Sequence, residues 1–242
     1  MQDRLSSDEQ VYEIKKTVLK SPVIFAGFVG AGLVGPLAIG YMIDKLKMKE
    51  IGYIRSRHLP PSTVFMQGRL RHPFRLHSNK DGTICGIICE ITLRMEGLYD
   101  IISTILDWAE KNGSHEIVIL DGVASSSHDD KAFCAAEGDL CRVMEDSDIS
   151  MIHQGFITGV AGGLLNECLV RKIQGVTLLV KANDKGADPL AAATLVEAVN
   201  RAYGMNIDTS DLRKKKNQIG ADFKELSDKY TEHRKIDSNM YM

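Results

Sequence analysis

Pro22 to Ile43 form an uninterrupted stretch without a single charged side chain, and they constrain the fold more than any other part of the chain. Three readings compete for them. The stretch is long enough to cross a bilayer as a helix. It contains Gly30-x-Gly32-x-x-Gly35, the spacing of a dinucleotide-binding turn. It also reads as a buried strand, a tight turn and a helix with no ligand, since Val23–Phe28 is short and apolar and Gly35-Pro36 suits a helix start. Five glycines and the central Pro36 count against a membrane span. The surrounding chain also reads as amphipathic elements.

A chain of 242 residues can bury a sizeable core. Its net charge of -2 supplies no field to recruit nucleic acid or an anionic membrane. The five cysteines are odd in number and lack a C-x-x-C pair, and Cys85, Cys89 and Cys168 sit in apolar runs as small hydrophobes. That usage, with no basic segment before an apolar one at the N-terminus, predicts a cytoplasmic protein.

In order, the pattern predicts an edge strand or docked arm near Val11–Val18, the strand Val23–Phe28, and a helix from Gly35 to the basic Lys45–Lys49. Glu50–Ser56 is the next strand, followed by a break at His58–Pro61. Val64–Leu70 and Phe74–His77 read as a hairpin pair, and Thr83–Ile91 as a buried strand. Leu98, Ile101, Ile102, Ile105, Leu106 and Ala109 have helical spacing up to Asn112-Gly113. Glu116–Leu120 is a strand ending at Asp121-Gly122. Ala132–Ala136 follows as a short strand, with a helix to about Glu145. A second glycine turn, Gly155–Gly163, precedes a helix Leu164–Ile173 and a strand Val176–Lys181. Asp188-Pro189 and Gly204 bracket a further helix as cap, first-turn proline and stop. Strands alternating with helices imply an α/β fold around a largely parallel central sheet flanked by helices. Leu212, Ile219, Phe223, Leu226 and Tyr230 then make a narrow stripe on a C-terminal amphipathic helix, and a polar run leads to Met240-Tyr241-Met242. This divides the chain into an α/β domain (1–208) and a C-terminal helix with a flexible tail (209–242).

The candidate chemistry is sparse. A dinucleotide site wants an acidic residue closing the second strand. Here Glu50 opens that strand and Arg55 and Arg57 lie at its end, where arginines suit a 2′-phosphate, so the dinucleotide motif survives only in a weakened form and close strand–helix packing is the favoured use of Gly30, Gly32 and Gly35. Glu90 and Asp121 fall near strand C-terminal ends, where open sheets place ligands, and with Arg94 and His128 they could line an enzyme pocket, although a pair of capping or loop carboxylates is the favoured reading. Ser127-His128-Asp129 are consecutive, unlike a catalytic triad assembled from distant residues. The seven histidines show no H-x-x-x-H or H-E-x-x-H spacing, so no dedicated metal site is expected, and with the glycine turn read as packing no cofactor is expected. The basic cluster Arg213–Lys216 reads as a solvated face. Met240-Tyr241-Met242, after a helix and a polar spacer, can offer an apolar side chain, a ring and a carboxylate to a partner's pocket.

Several of these stretches coincide in one family. Gly27-Phe-Val-Gly30-Ala-Gly32-Leu-Val-Gly35, the turn Gly155-Phe-Ile-Thr-Gly159-Val-Ala-Gly162-Gly163, and the helix from Asp188 through Gly204-Met-Asn-Ile-Asp208 together resemble the proteasome assembly chaperone family over residues 20–208. The C-terminus is similar to the hydrophobic–tyrosine–any-residue motif of proteasome activators and archaeal chaperone homologues. The resemblance implies a fold like that of purine nucleoside phosphorylases. It further implies a non-enzymatic, ATP-independent homo-oligomer that assists assembly or opens the gate of the proteasome core. Met240 would fill a pocket between neighbouring α-subunits, Tyr241 would fix the tail, and the Met242 carboxylate would pair with a pocket lysine. The alternative left by the residues alone is a nucleoside-phosphorylase-like or nucleotide-binding enzyme using the glycine turns with Glu90 and Asp121.

Overall fold

The uncharged stretch divides into three elements in the computed structural model, which describes residues 9–66, 68–127, 129–183 and 186–214. Strand β2 (Val23–Gly27) leads through a single 3-10 turn (Ala31–Leu33) into helix α1 (Val34–Lys45). The first nine residues of α1 are buried apart from Gly40, so the helix is apolar all round because it is sandwiched, not because it spans a membrane. Among the described residues no helix is long and apolar enough to cross a membrane.

Before β2 lies the edge strand β1 (Gln10–Glu13). After α1 come β3 (Lys49–Arg55), β4 (Val64–Met66), β5 (Arg69–Arg71), β6 (Phe74–Ser78) and β7 (Ile84–Cys89). Helix α2 (Leu98–Lys111), β8 (Glu116–Ala124), β9 (Ala132–Ala136), α3 (Asp139–Asp146) and β10 (Ser150–Met151) follow. The described chain closes with α4 (Gly159–Arg171), β11 (Gln174–Ala182), α5 (Pro189–Tyr203) and α6 (Ser210–Lys214).

Nine strands form one sheet in the order β1-β3-β6-β7-β2-β8-β11-β9-β10, with β4 and β5 as a separate hairpin. Alternate residues of the central strands point to opposite faces, as the two-residue period of a strand requires. Phe25, Val118, Leu120, Val176 and Leu178 pack with α1, α3 and α5. Ile24, Ala26, Leu76, Ile87, Ile117 and Ile119 pack with α2 and α4 on the other face. The result is a three-layer α/β fold.

The expectation of a largely parallel sheet needs correction. Only the centre, β7-β2-β8-β11, is a continuous parallel run; of the eight pairings in the sheet, four are antiparallel. The parallel centre is built by helical crossovers. The short link between β6 and β7 permits only antiparallel neighbours there. The predicted hairpin also falls differently. Val64 pairs with Arg71 inside 64–71, and Phe74–Ser78 instead joins the main sheet between β3 and β7. Strand β8 does not stop at Asp121-Gly122 but continues to Ala124, because β11 pairs with it along its whole length. Helix α4 starts at Gly159, five residues before the expected start, so Gly162 and Gly163 are helical. A Cβ at Gly162 would strike the Ile157 carbonyl, and one at Gly163 would meet the tip of the Ile102 side chain of α2.

Candidate functional site

The glycines of the first turn allow the backbone of α1 to touch the sheet. A Cβ on Gly35 would lie 2.6 Å from the Leu120 carbonyl oxygen and 2.9 Å from Phe28 backbone atoms, and a Cβ on Gly27 would collide with the Gly35 carbonyl. Gly32 adopts φ 64, and its carbonyl accepts from the Asp188 backbone N–H at 2.7 Å. A Cβ on Gly32 would meet the Cβ atoms of Ala182 and Asp188 at 2.9 and 3.0 Å. The connection from β11 to α5 therefore packs on the turn, where a cradle would need open space for a phosphate. Asp188 itself caps α5, accepting from Ala191 N–H at 3.1 Å. A Cβ on Gly30 would lie 2.5 Å from Asp121 Oδ1, so an anion at this turn would face a carboxylate. Gly30, Gly32 and Gly35 thus have a complete packing explanation.

Asp121 and Glu90 are not brought together. They follow the paired registers of β8 and β7 on either side of β2, two strand spacings or about 10 Å apart. Asp121 Oδ1 accepts from the Gly122 N–H at 2.8 Å, and burial raises its carboxyl above the usual range. Glu90 is held by two arginines. Its Oε1 lies 2.7 Å from Arg71 Nη2 and its Oε2 lies 2.7 Å from Arg75 Nη1, with 1% of the Glu90 side chain and 4% of the Arg75 side chain exposed. Both oxygens of Glu90 are occupied by this buried bridge. Burial, reinforced by Arg75 and Arg71, pushes the neighbouring His77 down to about 3. Burial also pushes the thiols of Cys85, Cys89 and Cys168 up to about 12, which leaves them unreactive. Arg94 is exposed, and His128 lies outside the described residues.

The candidate docking residues Met240, Tyr241 and Met242 also lie outside the described residues, as do Ile219, Phe223, Leu226 and Tyr230 of the expected stripe. The platform from which that segment departs is described. Gly204 ends α5 in the left-handed conformation (φ 61). Asn200 then clamps the following turn, donating to the Ile207 carbonyl at 2.8 Å and accepting from the Ile207 N–H at 3.0 Å. Tyr41 Oη donates to the Asp208 carbonyl at 2.6 Å, and Lys45 Nζ pairs with Asp211 at 2.7 Å. Leu212 is fully buried. Arg213 grips Glu197 through two parallel bonds of 2.8 and 2.7 Å, while Thr209 Oγ1 donates to the same carboxylate at 2.6 Å. Hydrogen bonding from Arg213, then Thr209, holds the Glu197 carboxyl below its ordinary range despite partial burial. Arg213 belongs to the basic cluster expected to be a solvated face, but its partner lies sixteen positions earlier on α5, and no local pattern marks the pair.

Among the described residues, one group of metal-ligating side chains converges, Glu9 with His58 and Asp100.

The model of the PAC2 family matches residues 24–227. A Thermoplasma acidophilum protein of unknown function has a similar structure, with 32% identity and a TM-score of 0.85, covering 90% of this chain and 91% of its own. PbaA of Pyrococcus furiosus, an archaeal homolog of proteasome-assembly chaperone, is 25% identical with a TM-score of 0.82, covering 93% of this chain and 99% of its own. Pyrococcus furiosus PbaB, an archaeal proteasome activator, shares the fold at 20% identity and a TM-score of 0.77, covering 90% of this chain and 98% of its own.

Proposed function

The chain belongs to the PAC2 family, and from that membership we propose that it is a non-enzymatic, ATP-independent cytoplasmic protein that binds the proteasome core and assists its assembly or activates it. The observation that carries this reading is the likeness to PbaA along nearly the full length of both chains. Met240, Tyr241 and Met242 are the docking residues in this reading, seated in pockets between neighbouring α-subunits. Residues 1–208 act as the body and 209–242 as the docking segment. The anchoring of Asp208–Arg213 to α1 and α5 supports it by fixing the point from which the segment departs. Twenty-eight residues follow Lys214, a contour of about 95 Å if extended, which is ample to reach an adjoining ring.

Several copies in a homo-oligomer would present several tails at once, and effective concentration would turn individually weak contacts into firm attachment. The occupied oxygens of Glu90, the capped Asp121 and the packed glycine turn all favour a binding protein over an enzyme. The experiment is peptide hydrolysis by purified proteasome core with increasing amounts of the protein. Stimulation marks an activator. Unchanged hydrolysis with accelerated assembly of α- and β-subunits marks a chaperone. The absence of both effects would overturn the reading.

A further inference from the structure

We propose that Glu9, His58 and Asp100 form a binding site for a divalent first-row transition cation, best matched by Zn2+, that clips the N-terminal edge strand to the start of α2. The three residues come from separate segments: the approach to β1, the link between β3 and β4, and the first turn of α2. Their ligand atoms all lie within 4.8 Å of one another. His58 Nε2 stands 3.5 Å from Glu9 Oε1 and 3.6 Å from Asp100 Oδ2.

Those separations are longer than the roughly 2.7–2.9 Å of a charge-assisted N–H···O bond. They match the edge of a coordination tetrahedron instead, since two donors each about 2.1 Å from zinc lie about 3.4 Å apart. One imidazole and two carboxylates are a donor set that zinc accepts, with the fourth position left to water.

The site is built rather than incidental. The His58 imidazole occupies the space that a Cβ at position 97 would fill, and Gly97 (φ 75) makes room for it just before α2. Ser56 Oγ accepts from the His58 backbone N–H at 2.9 Å and donates to Glu9 Oε1 at 3.3 Å, so one hydroxyl orients two ligands. Ser56 is 9% exposed and the Glu9 side chain 12%. Arg57 Nε donates to His58 Nε2 at 3.3 Å and lies 3.8 Å from Glu9 Oε1. An Nε2 that accepts from Arg57 offers the same lone pair that a metal would take. The Arg57 side chain is 64% exposed and can swing into solvent when a cation takes its place. Arginine and metal therefore compete for the same two ligands. The scatter of positions 9, 58 and 100 along the chain explains why no metal-binding spacing marked them.

The test uses the full-length chain stripped with chelator, with Zn2+ titrated by calorimetry and Co2+ as a spectroscopic probe. Expected are binding near one ion per chain, a rise in Tm with Zn2+, and a Co2+ spectrum without thiolate charge transfer. Asp100→Asn, at a half-exposed position that spares the core, lowers affinity about tenfold or more. His58→Gln does the same, and Arg57→Gln tightens binding. No binding would overturn the proposal, and so would Zn2+ affinity that neither Asp100→Asn nor His58→Gln alters while circular dichroism shows both variants folded.

Discussion

Arg213 and Glu197 are joined by two parallel hydrogen bonds of 2.8 and 2.7 Å, which pin the last described helix to α5. Bidentate geometry places such a pair above an ordinary surface ion pair in strength. Arg213→Ala is expected to loosen α6 with a global stability loss of no more than about 1 kcal/mol, because the pair is partly exposed. Glu197 has its carboxyl held below the unfolded value, so its contribution is present above the unfolded pKa of about 4.3 and fades as pH falls through the lower folded value. The hydrogen-exchange protection factors of residues 210–214, taken against the unstructured rate at each pH, should therefore fall in acid in the parent protein and be low at all pH values in the variant.

The Glu90 bridge makes a stronger demand on stability. Glu90→Ala strands Arg75, which has 4% of its side chain exposed, and Arg71 beside it. Removing one partner of a buried pair costs about 3–5 kcal/mol. Urea unfolding should show a loss of that size. A small loss with a deficit in some small-molecule turnover would return Glu90 to the catalytic candidates.

Glycines in α1 separate packing from propensity. Gly35→Ala forces a Cβ against the Leu120 carbonyl at 2.6 Å, and overpacking of this kind costs about 1–3 kcal/mol. At Gly40 the nearest atom, Ile88 Cδ1, is 3.6 Å away, so Gly40→Ala should gain about 0.5–1 kcal/mol from helix propensity. Thermal melts of the two variants check the signs. The same melts with nucleotides, nucleosides or phosphate should show no shift, since a ligand bound only by the native state would raise Tm.

His77 gives the protein an acid-sensitive core. Its folded pKa of about 3 lies below the unfolded value near 6.5, so the unfolded chain binds the extra proton between those values. Stability from this residue is fully present above about pH 6.5 and falls by up to about 1.4 kcal/mol per pH unit down to about pH 3. Replacing it with Gln should flatten that slope in denaturation curves measured across this range.

What the sequence disclosed followed the range of the interactions. The helix between Asp188-Pro189 and Gly204 was legible because its cap and stop act within a few residues, and it spans Pro189–Tyr203. Strand β2 and helix α1 were legible from an apolar run broken by turn residues. The antiparallel insertion of β9 beside β11 depends on pairing between positions 40 to 48 residues apart, and nothing in Ala132–Ala136 announces direction. The early start of α4 was hidden because Gly162 and Gly163 look like a turn until the Ile157 carbonyl beside the one and the Ile102 side chain of α2 beside the other are seen to occupy the space of a Cβ. The Arg71–Glu90–Arg75 bridge and the Glu9–His58–Asp100 cluster join distant positions, so residue spacing carried no trace of them.

The central claim turns on three residues. Binding of the full chain to purified proteasome core, measured by biolayer interferometry beside a chain lacking Met240–Met242, tests it most directly. The account predicts that the truncated protein keeps its circular dichroism spectrum and Tm while its binding to the core disappears. Equal binding by the two proteins would contradict it.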